Sequence, residues 1–270
     1  MGIGLSTARY ISGIVKDLGI TGDVLTLGRQ DVWLDEAEFC NLVQSAGLGK
    51  KRIMGSLRLN NSARDQRMQE IRRSGNALRS CSHDPRLFVT DEFLFNALGF
   101  ESCTSADVSD YEGASIIHDF NQPGLGRAAD REFEFVFDGG TAEHVFHFPN
   151  FLRNVFEVTK VGGYALHASP SNNHVDHGFY QFSPTVFYDW YEANRWDIVR
   201  AEFFRYTPSV NEPWQYSEYT PGSLDPIAFG GLDGALYGVM FLARKRPDST
   251  FDVIPQQSWY RRIKWADIGA

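Results

Sequence analysis

The sequence predicts an α/β fold, a mostly parallel sheet with helices on both faces. Two observations predict it. Short apolar runs alternate with stretches of helical periodicity along most of the 270 residues. The runs are near-continuous in apolar residues and end on Gly or Asp, as strands buried on both faces and followed by turns do.

Taken in order, Leu5, Ala8, Ile11, Ile14, Val15 and Leu18 recur at helical spacing, and Gly19 stops that helix. Residues 23–27 form the first strand, turning at Gly28, and 34–46 suit the helix after it. Thr90 caps a further helix that opens on Asp91 and Glu92 and closes at Gly99. Residues 102–108, 114–118 and 133–137 are three more strands, whose tips carry Asp107, Asp119 and Asp138. A helix over 149–160 starts on Pro149, and Gly162-Gly163 turns into a strand over 164–168. Ser183-Pro184 opens a helix over 185–194, and 196–206 and 235–244 are the closing strands.

Composition narrows the class. With 43% hydrophobic and 14% aromatic residues, the chain has enough apolar surface to offset its conformational entropy, so a disordered chain is excluded. No apolar run approaches the roughly 20 residues that cross a bilayer. Three scattered cysteines, Cys40, Cys81 and Cys103, suit a reducing cytoplasm rather than a disulfide scaffold. The net charge of −8 argues against a nucleic-acid partner. Residues 50–86 nevertheless hold ten Lys/Arg against Asp65, Glu70 and Asp84, a local +7 on a body of −15. That field suits a solvated helix face, or an anionic ligand such as a small molecule or glycan.

In sheets of this kind, ligands bind beyond the carboxyl ends of the strands. There Gly28 lets a ligand approach the backbone, Asp107 can accept both hydroxyls of a ribose, and Asp119 can accept the amine of an adenine. Loop capping is the competing role for either Asp.

Five segments carry a resemblance: Asp23-Val24-Leu25-Thr26-Leu27-Gly28, Ala106-Asp107-Val108-Ser109, Ile117-His118-Asp119-Phe120-Asn121, Phe135 through Val145 with its Glu143-His144 pair, and Lys160-Val161-Gly162-Gly163-Tyr164. Together they resemble the successive motifs of class I S-adenosylmethionine-dependent methyltransferases, and Tyr237-Gly238-Val239-Met240-Phe241 resembles part of that fold's antiparallel sixth and seventh strands. The resemblance implies a Rossmann-like seven-stranded sheet, one unit over 1–270, with a basic insertion over 47–90 after the first strand as a lid or substrate segment. It implies S-adenosylmethionine as cofactor, held by Gly28, Arg29, Gln30, Asp107, Val108, Asp119, Phe120, Asp138, Gly139 and Gly140. Thr26 and Gln30 replace the family's usual acidic residue and second glycine, so Arg29 or Gln30 is expected to engage the cofactor's carboxylate.

The resemblance also sets His144 beside the methyl donor, which makes it the first candidate base, with loop bracing as its competing role. His174, Asp176 and His177 follow the fifth strand and suit a base with its orienting carboxylate, or ligands for a divalent ion. The base is the role assigned, and no metal site is assigned. Most aromatics between Phe179 and Tyr191 are expected in the core, whereas Trp214, Tyr216 and Tyr219 suit sugar stacking. The expected activity is O-methylation of a small molecule or sugar acceptor. The alternatives are a silent interaction protein of the same fold, consistent with the altered turn, and a nicotinamide oxidoreductase, disfavoured because no G-x-G-x-x-G follows the first strand.

Overall fold

The computed structural model describes residues 2–47, 89–208 and 212–262. The expected insertion over 47–90 lies, apart from its two ends, outside the described residues, as does Cys81. The elements run β1 (Gly2–Gly4), α1 (Leu5–Leu18), β2 (Asp23–Leu27), β3 (Asp31–Trp33), α2 (Glu36–Ser45), β4 (Val89–Thr90), α3 (Asp91–Ala97), β5 (Ser102–Asp107) and β6 (Ile116–Ile117). They continue with α4 (Leu125–Ala129), β7 (Phe133–Asp138), α5 (Phe148–Val158), β8 (Thr159–Pro170), α6 (Pro184–Ala193), β9 (Asp197–Tyr206), β10 (Gln215–Glu218), β11 (Leu236–Arg244) and α7 (Ser258–Arg262).

Local chemistry accounts for the boundaries. Gly19 ends α1 in the left-handed conformation at φ 64°. Asp35 and Glu38 close a reciprocal capping box on α2, and the Thr90 hydroxyl accepts the Phe93 N–H at the start of α3. Two expectations fail here. Strand β8 begins directly after α5 at Thr159, so Gly162 and Gly163 lie inside it rather than before it. Its register against β7 shifts at that point. A Cβ on Gly163 would stand 2.9–3.0 Å from the carbonyl oxygens of Lys160, Glu134 and Phe133, so the glycine serves close strand approach. The third strand of the sequence reading shrinks to two residues, Ile116–Ile117.

The main sheet has the order β10-β9-β11-β8-β7-β2-β5-β6, eight strands where seven are expected. Strands β6, β5, β2, β7 and β8 are parallel, whereas β11 pairs antiparallel with both β8 and β9. Of the closing pair, therefore, only β11 runs against the sheet, and β10 is the additional edge strand. A separate sheet, β1-β3-β4, was not foreseen because its strands have three residues or fewer.

Alternation along each strand feeds two cores. Val24, Phe135, Phe137, Met240 and Leu242 face α1, α2 and α3 through Ile11, Phe39 and Phe95. Leu25, Leu27, Val136, Val239 and Phe241 face α4, α5 and α6 through Leu125, Phe151 and Phe187. No described helix is long and apolar enough to cross a membrane. Phe241 is fully buried, its ring 5.2 Å from Tyr191 and 5.9 Å from Phe187. Phe241→Ala should lower the unfolding free energy in urea by about 3–5 kcal/mol.

Candidate functional site

The carboxyl ends of the parallel strands β2, β5 and β7 lie side by side at one edge of the sheet, and Asp138 organises the turns there. Its carboxylate is buried; Oδ1 accepts the N–H groups of Thr141 (2.9 Å) and Ala142 (3.2 Å), which folds residues 142–144 into a single 3-10 turn. Oδ2 lies 2.8 Å from Nδ1 of His167 on β8, and Nε2 of that ring lies 2.6 Å from the Tyr191 hydroxyl on α6. A carboxylate only accepts, so Nδ1 carries the proton and Nε2 accepts from the tyrosine. Burial and the Asp138 charge push the Tyr191 phenol well up. The Thr141 hydroxyl donates to the Leu27 carbonyl across to β2 (2.6 Å). Gly28, at φ 77°, has Thr141 Oγ1 2.5 Å from where a Cβ would stand, so only glycine fits.

The expected cofactor residues divide into two groups. Asp107 stands half-buried at the β5 tip, Oδ2 accepting the Arg29 N–H (3.2 Å) and Oδ1 that of Val108 (2.6 Å). Val108 is exposed beside it. Asp119 is exposed at the β6 tip, where Oδ1 accepts the backbone and side-chain N–H groups of Asn121, bonds that lower its pKa. Gly139 and Gly140 follow β7, with Gly140 at φ 89°.

Four assignments need correction. The Arg29 guanidinium is not free for an anion: it pairs with Asp91 (3.1 Å) and Glu92 (2.9 Å) at the start of α3. Gln30 is buried, and its amide Nε2 donates to the Leu27 and Gly28 carbonyls, so no donor is left for a carboxylate. Instead Gln30 Oε1 is a buried acceptor without a partner, and it fills the space that a Cβ on Gly139 would need. Phe120 packs its ring into the core against Phe151. Asp138 turns inward to His167 rather than toward a ligand.

A histidine cluster stands beside these turns. Glu143, which the sequence offers in the Glu143-His144 pair but to which no site role is assigned there, is completely buried, and neither carboxylate oxygen has a hydrogen-bond partner. Burial and the Asp138 charge push its carboxyl up to about 8. Nε2 of His177 lies 3.6 Å and Nε2 of His144 3.9 Å from Glu143 Oε1, and both imidazoles are exposed. The His144 and His177 rings are 5.2 Å apart, and His174 is 5.8 Å from His177 with its Nε2 3.1 Å from the Tyr206 hydroxyl. Burial and His177 lower the pKa of both His144 and His174. Asp176 departs from the expectation: it is exposed, at φ 64°, and outside the convergent group.

Two hollows adjoin the cluster. A cavity of about 70 Å³ is lined by Gly2, Thr7, Gly139, Ser169, His174 and Tyr206 among others. A cleft of about 510 Å³ lies beyond the β8 tip, between Asn172, Gln181 and Phe182 and the segment carrying Leu224 and Ile227. The aromatics expected to stack on sugars are used otherwise: Trp214 stacks on Phe204 at 4.4 Å, Tyr216 on Tyr10, and Tyr219 is buried. Asp138→Ala would strand the His167 ring N–H and two backbone N–H groups, and should cost on the order of 3 kcal/mol in urea unfolding.

No family model matches the chain, and no curated protein matches it in sequence. Solved structures overlap it distantly. A S-adenosylmethionine-dependent methyltransferase from Archaeoglobus fulgidus is 12% identical over 88% of this chain and 94% of that one, with a TM-score of 0.42. One from Clostridium acetobutylicum is 9% identical over 90% and 91%, with a TM-score of 0.35. TehB from Haemophilus influenzae is 16% identical over 58% of this chain, which spans about half (53%) of TehB's length, with a TM-score of 0.37. Strand order defines the fold more sharply than these overlaps do. Parallel β6-β5-β2-β7-β8 followed by antiparallel β11 set between β8 and β9 is the Rossmann-like order that the sequence resemblance implies.

Proposed function

We propose that the chain is a S-adenosylmethionine-dependent methyltransferase that acts on a hydroxyl of a small molecule or sugar acceptor. One observation carries the reading: Asp107 at the β5 tip, accepting the Arg29 N–H across the Gly28 turn, lies at the same carboxyl edge of the parallel strands as the turns after β7 and β8 that carry the imidazoles. Each Asp107 oxygen already accepts one N–H, which leaves one lone pair on each for a ribose hydroxyl. The exposed Val108 side chain offers an apolar face to an adenine ring. The orphaned Gln30 Oε1 at Gly139 asks for a donor, so the residues suit the cofactor's ammonium group there in place of its carboxylate.

When bound, S-adenosylmethionine supplies a methyl group on a cationic sulfur, which keeps the electron pair as the carbon–sulfur bond breaks. The protein's part is alignment and proton removal. The cleft at Asn172, Gln181 and Phe182 offers amide donors and an apolar wall to an acceptor. Proton removal is assigned to His174, in the tautomer whose Nε2–H donates to the Tyr206 hydroxyl and whose Nδ1 keeps its lone pair. The basic segment over 50–86 supplies the charge to favour an anionic acceptor.

Calorimetry with S-adenosylhomocysteine tests the reading. The wild-type chain should bind it, and Asp107→Ala should weaken binding by about 1.5–3 kcal/mol, roughly ten- to hundredfold. Binding of NAD alone would favour an oxidoreductase, and binding of neither by a folded chain would favour an interaction protein. With an acceptor found by screening sugars and nucleotide sugars for S-adenosylhomocysteine release, His174→Ala should depress kcat more than tenfold and leave S-adenosylhomocysteine affinity unchanged.

A further inference from the structure

We propose that Glu143, His144 and His177 bind one divalent transition-metal ion. One ligand atom from each lies within 4.8 Å of the others. Two ligands about 2.1 Å from a shared ion at a tetrahedral angle stand roughly 3.4 Å apart. The Glu143 oxygen is already 3.6 Å from His177 Nε2 and 3.9 Å from His144 Nε2, so small rotations of two exposed imidazoles complete the set.

The Glu143 carboxylate supplies an independent observation. It is fully buried with both oxygens unbonded, whereas Asp138, the buried carboxylate five residues earlier at the end of β7, has three donors. A buried carboxylate wants a charge or a proton donor, and a bound cation supplies one. The backbone holds the two ligand-bearing turns together in advance. The Glu143 carbonyl accepts the Phe179 N–H (2.8 Å) and the Tyr180 N–H (3.3 Å), which seats the loop carrying His177 on the Glu143 turn. Gly178 permits that seat, since its Cβ would lie 2.9 Å from the Glu143 carbonyl oxygen and 3.0 Å from Glu143 Cγ.

Two imidazoles and one carboxylate select zinc, manganese, iron, cobalt or nickel over magnesium or calcium, which prefer oxygen alone. Three protein ligands leave coordination positions open, and the exposure of both imidazoles turns those positions outward. An acceptor hydroxyl bound there would be acidified, with His174 and its Tyr206 partner left as the proton acceptor. That last role rests on the methyltransferase reading; the ion site does not.

The test uses the full chain, stripped with a chelator and titrated with Co²⁺ while its visible absorption is followed. One equivalent should bind with a saturable band. His177→Ala and Glu143→Gln should each weaken binding at least tenfold, whereas Asp176→Ala, on the same exposed loop, should not change it. Circular dichroism reports folding of each variant, and the exposed His177 carries the test should Glu143→Gln not fold. A folded wild-type chain with no band at one equivalent overturns the site, as does a band that His177→Ala leaves intact. S-adenosylhomocysteine calorimetry on the same stripped sample separates the two readings: nucleoside binding without cobalt binding removes the ion site alone, and cobalt binding without nucleoside binding removes the transferase reading alone.

Discussion

The site depends on the placement of one buried carboxylate. Asp138 ends the central strand β7, and its two oxygens point in different structural directions: one folds the chain into the turn after the strand, the other reaches through His167 to Tyr191 and so fastens β8 and α6. Every donor it meets is protein, so both of its buried oxygens are satisfied inside the core. The turn it folds delivers Glu143 and His144, and Thr141 of the same turn bonds back to Leu27 and packs against Gly28. The carboxylate that the sequence places at the rim as a ligand contact thus acts from beneath the rim as its anchor.

The β2 turn shows how an altered motif is accommodated. A side chain at position 30 has to go somewhere, and here it folds over Gly139 and bonds the Leu27 and Gly28 carbonyls with its amide nitrogen. The preceding Arg29 is drawn off to Asp91 and Glu92, and Asp91 also receives the Gln30 N–H. The turn is therefore braced against α3 from the side. Rigidity that a glycine-rich loop obtains by close backbone packing comes here from a buried ion pair and an amide. The consequence is a buried acceptor without a partner, Gln30 Oε1, packed against Gly139.

The fold was legible because it rests on periodic signals. Continuous apolar runs such as 133–137, helical spacing over 5–18, and caps at Thr90 and Ser183 each act within a few residues, and the structure places those elements within two or three residues of expectation. The start of β8 at Thr159 was not legible, since its glycines read locally as a turn while their packing against Phe133 and Glu134 comes from a distant strand. The site was legible in residue type but not in partnership. His144, His174 and His177 do gather, yet Asp176 is replaced by Glu143, because a positive φ turns one residue of the loop outward and a 3-10 turn carries the other inward. Trp214 and Tyr219 misled for a related reason: an aromatic in a loop reads as available, whereas burial against Phe204 or Thr185 is decided by chain segments far away.

Glu143 is the residue that the stability of the fold least explains. Asp138 and Asn154 are equally buried, but each is surrounded by donors or acceptors that account for it. Glu143 has its backbone carbonyl fully engaged and its side chain unmatched. A glutamine or leucine would pack the same volume without a buried carboxyl, so packing gives no reason for an acid at this position. Local choices that oppose stability concentrate where a protein meets a ligand. Two imidazoles stand within 4 Å of one of its oxygens, so a cation bound between them would supply the partner that the fold withholds. The methyl-transfer reading and the ion site thereby converge on a single turn, whose shape Asp138 determines from below.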